Sequence, residues 1–409
     1  MKLLSFLTGT KWSAVIFVAL LALMYGVMPL AVNLFFANPY FVELAQICAV
    51  TCVFILLGFS VPLFDSRFRK DALRLTIDAT TFHVVVWAAF ILFLVITFAT
   101  ASSIPIISVF FGATADELSQ QRGDFLKGRQ GAESALLYLS TLFVSALLPY
   151  SLVHLFIEKA RLRFQLMLLF FGFSISFLQK ALFVNVFFPL AYLFIRRLKA
   201  GSMRIVLSVV GSLLLLYLIT VLASGGQSEF ETTGASGSGD FFASAYVPTS
   251  AIDLLVWRSV GVPIFTAADT LLVFEQQFGG QPLLGATSTF FATLFSLERI
   301  PLERLVFEHQ WGWNDIANAN AVFMIDAYVN FGWPGVVAFA FFVGQSLRWF
   351  HKSRDEAFKS LWLIYCFALF SGPLIGMLLS NGYVLMFTYA LFVRLRKRRP
   401  TSAPPDPGA

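Results

Sequence analysis

Apolar runs of about 20 residues recur along the whole chain, and each is long enough to cross a hydrocarbon core of roughly 30 Å as a helix. In lipid, only helices and closed barrels satisfy their backbone hydrogen bonds, and barrel strands alternate polar with apolar residues. These runs are continuous. Only 13% of the residues are charged, against about 25% in soluble chains. The sequence therefore predicts an all-α fold, a polytopic transmembrane helical bundle.

The bundle is expected to have about ten spans. They are predicted at residues 12–36, 41–64, 82–101, 134–156, 165–178, 181–195, 205–223, 333–350, 360–378 and 382–393. The chain then divides into seven spans (1–223), a large external loop with short helices (224–332), three more spans (333–394) and a basic, proline-rich tail (395–409).

The basic residues predict the orientation of these spans. Lys and Arg near span ends stay in the cytoplasm, and with the N-terminus inside, 22 of the 29 basic residues lie there. The remaining seven face outward: Arg122, Lys127, Arg129, Lys180, Arg258, Arg299 and Arg304. Both termini are therefore predicted to be cytoplasmic, and the net charge of +6 is expected to meet anionic lipid headgroups rather than nucleic acid.

Lys180 is the least expected charge in the chain. It lies between two short apolar stretches whose outer flanks are basic, a pattern that favours a tight hairpin over a single span. An ionisable side chain at such a place needs a partner or water. Lys180 therefore either binds an anion or extends from the hairpin tip to the outer headgroups.

The large external loop keeps three arginines in an acidic setting. Between residues 224 and 320 there are ten acidic residues but only Arg258, Arg299 and Arg304 as cations. The planar guanidinium binds phosphate through two parallel donors, so these arginines are candidates for anion binding. For Arg299 and Arg304, ion pairing with glutamates at helical spacing is an equal alternative. Two external helices are predicted here, at 249–260 and from Pro263 to about Phe278.

The end of this loop carries a recognisable element. His309-Gln310-Trp311-Gly312-Trp313-Asn314-Asp315 leads to Asn318 and Asn320, and then to the run from Asp326 to Gly335. The run contains Tyr328-x-Asn330-Phe331-Gly332-x-x-Gly335. It resembles the oligosaccharide-repeat-unit polymerases, the Wzy-type O-antigen polymerase group, in which a Tyr-x-Asn-Phe-Gly-x-x-Gly element commonly ends the large external loop and begins a late span. A short hairpin with a basic tip, here Lys180, is also similar.

The resemblance implies a glycosyltransferase of the bacterial inner membrane that polymerises undecaprenyl-diphosphate-linked repeat units into surface polysaccharide. The candidate catalytic residues are His309, as the first choice for a general base, with Glu308 and Asp326 behind it. The candidate substrate-binding residues are Lys180, Arg258, Arg299, Arg304, Trp313, Asn320, Tyr328 and Asn330. The expected partners are the lipid-linked oligosaccharide, membrane lipids, a chain-length regulator and a flippase. No cofactor or metal is expected, because the sequence shows no cluster of metal-ligand residues.

Two other functions remain open. An O-antigen ligase would share the architecture and the lipid donor but transfer glycan to a different acceptor. A transporter of polysaccharide or lipid would do no chemistry. Transporters commonly carry polar residues at mid-membrane and repeated halves, whereas these span interiors are nearly free of charge and no internal repeat is found. This pattern favours an enzyme that faces outward.

The partition of basic residues makes a testable prediction of topology. Reporter domains fused after Lys199 and after Arg399 are expected to report the cytoplasm, and one inserted near Gly234 is expected to report the periplasm. The measurement is the compartment-specific activity of each fusion in intact cells. A periplasmic signal at Arg399 is incompatible with ten spans.

Overall fold

A computed structural model describes residues 10–35, 37–65, 75–113, 115–126, 128–129, 131–176, 180–197, 240–312, 319 and 321–396. This part of the chain is mostly helical. Its helices are, in order, α1 Thr10–Asn33, α2 Pro39–Ser60, α3 Ala79–Ala99, α4 Pro105–Phe110, α5 Ala115–Leu126, α6 Ala135–Ile157, α7 Arg163–Ser176, α8 Lys180–Arg197, α9 Ile252–Phe278, α10 Thr289–Leu294, α11 Leu302–Trp311, α12 Phe323–Lys352, α13 Glu356–Ser360, α14 Trp362–Leu369, α15 Leu374–Leu379 and α16 Tyr383–Phe392. Two short strands, β1 Leu75–Asp78 and β2 Val393–Arg396, pair in parallel.

Within the described residues, six helices are long and apolar enough to cross a membrane: α1, α2, α3, α6, α9 and α12. Together they confirm the prediction of a helical, multi-pass membrane protein. Five of them overlap predicted spans, whereas α9 lies in the predicted external loop, where no span was expected. The count of ten spans stays a prediction. Helices α7 and α8 form the expected hairpin region and pack against each other through Phe171 and Phe187, while the predicted span at 205–223 lies outside the described residues.

Helix α9 differs from the sequence prediction. Two helices separated before Pro263 were expected in the external loop, but the structure has one continuous helix from Ile252 to Phe278. A π turn, Trp257–Gly261, comes just before this proline. Because the wider π turn accommodates a residue that lacks a backbone N–H, the helix continues past Pro263.

A π turn precedes a proline in other long helices as well. Among the described residues, π turns also lie at Ala22–Val27 in α1 and at Phe143–Leu147 in α6. Each is followed by a proline in the first turn of the next α-helical segment, Pro29 and Pro149. Proline inside these spans is therefore tolerated without a break in the helix.

The predicted span at 360–378 is instead divided into the short helices α14 and α15, and α13 ends at Ser360, where that span was predicted to begin. The chain leaves the helical path between α14 and α15, in the sequence Phe370-Ser371-Gly372-Pro373. Pro373 cannot donate a backbone hydrogen bond and Gly372 has little helical preference, so the two together end α14. No π turn precedes this proline.

Several contacts place separate parts of the chain at one end of the bundle. β1, which leads into α3, pairs with β2 at the end of α16, with Leu75 opposite Val393. Arg348 near the end of α12 donates to both carboxylate oxygens of Asp65, at 2.8 and 2.6 Å. At the start of α1, Thr10 Oγ1 is 3.5 Å from His351 Nδ1 in α12. The start of α1, the connection between α2 and α3, and the end of α16 therefore share the face that the basic residues predict to be cytoplasmic.

Helices α2 and α12 form the closest helix pair in the described bundle. Gly58 of α2 lies against the backbone of Phe341, and Gly344 of α12 lies against the backbone of Ile55 and Phe59. Small residues allow two helix backbones to approach in this way, and packing between helices is a main source of stability in lipid. The Gln345 amide donates to the carbonyl oxygens of Gly58 and Val61, at 2.5 and 2.7 Å, beside this contact.

We predict that Gly344→Ala destabilises the protein, because the added Cβ would overlap the backbone of α2. The expected cost is about 1–3 kcal/mol, as for other overpacked sites. Gly172→Ala is the matched control: nothing lies within 4 Å of a Cβ added at this position in α7. The thermal midpoint of each variant in detergent, compared with the wild type, makes the measurement. Equal midpoints for the two variants would show that the close approach contributes nothing.

Candidate functional site

A cavity of about 300 Å³ lies where the segment after α9 meets the membrane helices. That volume is at the lower end of the range for small-molecule sites. Its polar lining comes from α6, α9, α11, α12, α15 and the segment between α9 and α11: Tyr138, Thr270, Thr287, Ser288, Thr289, Arg299, Glu303, Asp326 and Ser380. The first turn of α6 is predicted to be external, so the cavity lies toward the external side.

Asp326 is held in this cavity by two neighbouring side chains. The Thr287 hydroxyl donates to Asp326 Oδ1 at 3.2 Å, and the Asn330 amide donates to the same oxygen at 3.0 Å. The Asn330 amide also donates to the Thr287 hydroxyl at 2.7 Å, so the three side chains form a closed network. Such a network fixes the direction of a carboxylate that faces a cavity.

The backbone explains why Thr287 reaches Asp326. Helix α12 is interrupted at Gly332, which has a φ of 63° and a ψ of −155°, one residue before the predicted start of the span at 333–350. The carbonyl oxygen of Asn330 would normally accept from the residue four positions later, but that residue is Pro334, which has no N–H. The Leu284 N–H donates to this oxygen instead, at 2.8 Å.

A second bond strengthens this attachment. The Leu283 N–H donates to the carbonyl oxygen of Val329 at 3.0 Å. Residues 283–287 are therefore joined to the end of the first half of α12. The glycine and proline in the run from Tyr328 to Gly335 therefore have a structural role. They leave two backbone carbonyl groups without partners inside the helix, and these groups accept the hydrogen bonds that hold residues 283–287 beside Asp326.

Arg299 and Glu303 supply opposite charges to the cavity. Arg299 donates to Glu303 at 2.9 Å, and their side chains are 52% and 22% exposed. This is the ion pair that the helical spacing allowed, and both residues also line the cavity. An exposed pair of this kind contributes little stability, so Arg299 is available to a ligand at small cost.

Three predicted residues on α11 lie outside the cavity lining: Arg304, Glu308 and His309 are all exposed. α11 turns Leu302, Glu303 and Val306 toward the cavity. The helical period directs Arg304 and Glu308 elsewhere, and His309 lies almost one turn beyond Val306, near the end of the helix. The end of α11 is attached to α9 instead, through the Gln310 amide, which donates to Asp269 at 2.8 Å.

The other predicted residues are dispersed. Arg258 is an exposed residue in the π turn of α9. Tyr328 packs against Phe274 and Trp333, with ring centroids 6.3 and 5.3 Å away, on the side of α12 away from Asp326. Lys180 is the first residue of α8, and its side chain lies outside the described part of the chain, as do Trp313 and Asn320.

The cavity also contains residues that sequence reasoning missed. Thr287 lies in a short run of hydroxyl residues with no motif of its own, and Tyr138 lies in a predicted span. Glu303 was considered only as an ion-pair partner for arginine. Leu302 and Val306 are both buried. Glu303 directly follows Leu302 and precedes Val306 by three residues, so the helical spacing places it at the edge of the inner face of α11.

Comparisons with protein-family models, with curated proteins and with solved structures find no match to this chain. The chemistry that the cavity can support is therefore inferred from its lining residues. It combines an oriented carboxylate, a guanidinium and several hydroxyl groups in a space of small-molecule size. Such a set can bind a polar, anionic or hydroxylated ligand and can accept a proton from it.

We predict that Thr287→Val destabilises the protein. Valine has the same shape, but it removes the donor to Asp326 and the acceptor of the Asn330 amide. Leaving such polar groups without partners costs about 1–3 kcal/mol. Thr289→Val is the matched control, since Thr289 is exposed on the same cavity wall. Thermal unfolding in detergent is the measurement, and a midpoint equal to that of Thr289→Val would contradict a network around Asp326.

Proposed function

We propose that this protein is a membrane glycosyltransferase that joins undecaprenyl-diphosphate-linked oligosaccharide units into a surface polysaccharide. The observation that carries the proposal is the fixed carboxylate of Asp326, which faces a cavity that it shares with Arg299. The resemblance of the run from Tyr328 to Gly335 supplies the reaction class. The proposal places the reaction at the external side of the inner membrane.

In the proposed reaction, the carboxylate of Asp326 acts as the general base. It takes the proton from a sugar hydroxyl of the acceptor unit, and the hydroxyl oxygen forms a bond with the anomeric carbon of the donor glycan. The bond between that carbon and the donor diphosphate breaks, and the diphosphate leaves as an anion on its lipid. The network with Thr287 and Asn330 would hold the carboxylate in the direction that this proton transfer needs.

Arg299 is proposed to stabilise the negative charge that develops on the leaving diphosphate. Its guanidinium lines the cavity and is paired with Glu303 through one terminal nitrogen. Rotation about its side-chain bonds would exchange this exposed pair for a bidentate contact with phosphate oxygens. Arg258, Arg304 and Lys180 are then candidates for binding parts of the substrate further from the reacting atoms.

The cavity geometry favours Asp326 over His309 as the base. Asp326 lines the cavity, whereas His309 is exposed near the end of α11 and does not line it. The end of α11 that carries His309 is joined to α9 by the hydrogen bond from Gln310 to Asp269. His309 is therefore better suited to contact the outer part of a glycan than to take the proton in the cavity.

An apolar surface beside the cavity supports a lipid-linked substrate. Large hydrophobic side chains around α10 are exposed: Leu284, Phe290, Leu294 and Phe295. Phe290 also lines the cavity. A polyprenyl chain or the membrane surface would cover this patch, because exposed apolar side chains of this density favour contact with lipid. The diphosphate of such a lipid would then lie near Arg299.

We predict that Asp326→Asn abolishes polymerisation while the protein is still inserted normally. The amide keeps the shape of the carboxylate but cannot accept the proton. A loss of at least 100-fold in polymer is expected, as is typical for removal of a general base. The measurement is the polysaccharide ladder of a deletion strain carrying the variant, normalised to the amount of protein in the membrane. Glu298→Gln, an exposed neighbour of Arg299, is the acidic control and should leave the ladder unchanged.

The form of the product separates the proposal from its alternatives. Loss of a polymerase leaves single repeat units attached to their final acceptor. Loss of a ligase leaves polymer on the lipid carrier, and loss of a transporter leaves unpolymerised units on the inner side. A wild-type ladder from Asp326→Asn, together with its loss in His309→Ala, would move the reaction out of this cavity.

A further inference from the structure

Two histidines and a glutamate meet at the end of the bundle that is predicted to be cytoplasmic. His83 lies in the second turn of α3, while His154 and Glu158 lie at the end of α6. His83 Nε2 is 3.0 Å from His154 Nδ1, and this nitrogen is 3.9 Å from Glu158 Oε2. We propose that these three residues bind a divalent transition-metal ion of the zinc type.

The spacing of the ligand atoms fits such an ion. One ligand atom from each residue lies within 4.8 Å of the other two. Zinc binds imidazole nitrogen at about 2.0–2.1 Å in tetrahedral geometry, which places neighbouring ligand atoms about 3.4 Å apart. The two measured separations, 3.0 and 3.9 Å, lie on either side of this value. Small rotations of the side chains would therefore place all three around one ion.

The charges in this cluster also favour a cation. The two facing ring nitrogens lie within hydrogen-bond distance of each other, and the carboxylate of Glu158 adds a third electron-rich atom nearby. Each of the three groups can donate an electron pair to a metal ion. A divalent cation would interact favourably with all three at once. Imidazole and carboxylate together suit zinc better than the hard cations Mg²⁺ and Ca²⁺.

Residues behind His83 orient its ring in the way that metal sites commonly use. The other ring nitrogen, Nδ1, is 2.8 Å from the Ser151 hydroxyl oxygen. That oxygen also accepts a hydrogen bond from the indole of Trp87 at 2.9 Å. Metal-binding histidines usually make a second hydrogen bond that fixes the ring and directs the other nitrogen to the ion. Here the fixed ring directs Nε2 toward His154.

The cluster is open on one side. The side chains of His154 and Glu158 are 16% and 23% exposed, whereas His83 is 7% exposed. An ion can therefore enter from solvent, and a water molecule can fill the fourth position. His83 and His154 are 71 positions apart in the chain, so the sequence alone, which predicted no metal, gave no ligand spacing to recognise. The bound ion would connect α3 to α6.

The test is metal binding by the full chain, purified in detergent and treated with EDTA. Titration with Zn²⁺ in a calorimeter is expected to give one ion per chain. Co²⁺ in the same site should show the visible absorption of a tetrahedral complex. His83→Ala and His154→Ala should each weaken binding at least 100-fold. Ser151→Ala, which removes only the orienting hydroxyl, should weaken it about 10-fold.

His351→Ala is the matched control, because His351 lies at the same end of the bundle in α12 and outside the cluster. The affinity of the His351→Ala variant for Zn²⁺ should equal that of the wild type. If a histidine variant does not fold, Glu158→Gln replaces it, since the partly exposed Glu158 can change without loss of core packing. Absence of stoichiometric Zn²⁺ binding by the wild type, or equal weakening by His351→Ala, would overturn the proposal.

Discussion

The break in α12 at Gly332 is the constraint on which the arrangement of the candidate site depends. A helix interrupted by glycine and followed two positions later by proline leaves backbone carbonyl oxygens without partners inside the helix. In this protein the backbone N–H groups of Leu283 and Leu284 satisfy two of them. The hydrogen bonds that complete the helix therefore also position the external segment, and Thr287 reaches Asp326 as a result.

Below the break, the position of α12 is set by a different contact. Gly58 and Gly344 let α2 and α12 approach so closely that a methyl group on either would overlap the backbone of the other helix. The Arg348–Asp65 ion pair lies at the same end. The second half of α12 therefore packs in the membrane bundle, and its first half lines the cavity.

The sequence predicted the helical membrane class and the start of a span next to Gly332, because hydropathy and short motifs are local properties. It predicted Asp326 and Asn330 as site residues with separate roles, from the run between Asp326 and Gly335 that carries the family resemblance. It gave no sign of Thr287, which meets Asp326 only through backbone bonds across 39 positions. It also ranked His309 above Asp326, because the sequence does not show that α11 meets the cavity only through the first half of the helix.

The π turns in α1, α6 and α9 have a consequence for how these helices contact their neighbours. Each turn inserts one residue without adding a full turn, so every side chain beyond it is rotated by about 100° about the helix axis. In α9, Trp257 contacts Tyr246 and Trp311, whereas Phe274, beyond the turn, contacts Tyr328. The hydrophobic periodicity of the whole helix therefore averages two apolar stripes, one before and one after the π turn, which lie on different faces. Deleting one residue from a π turn would align these stripes and turn half of the helix away from its present partners.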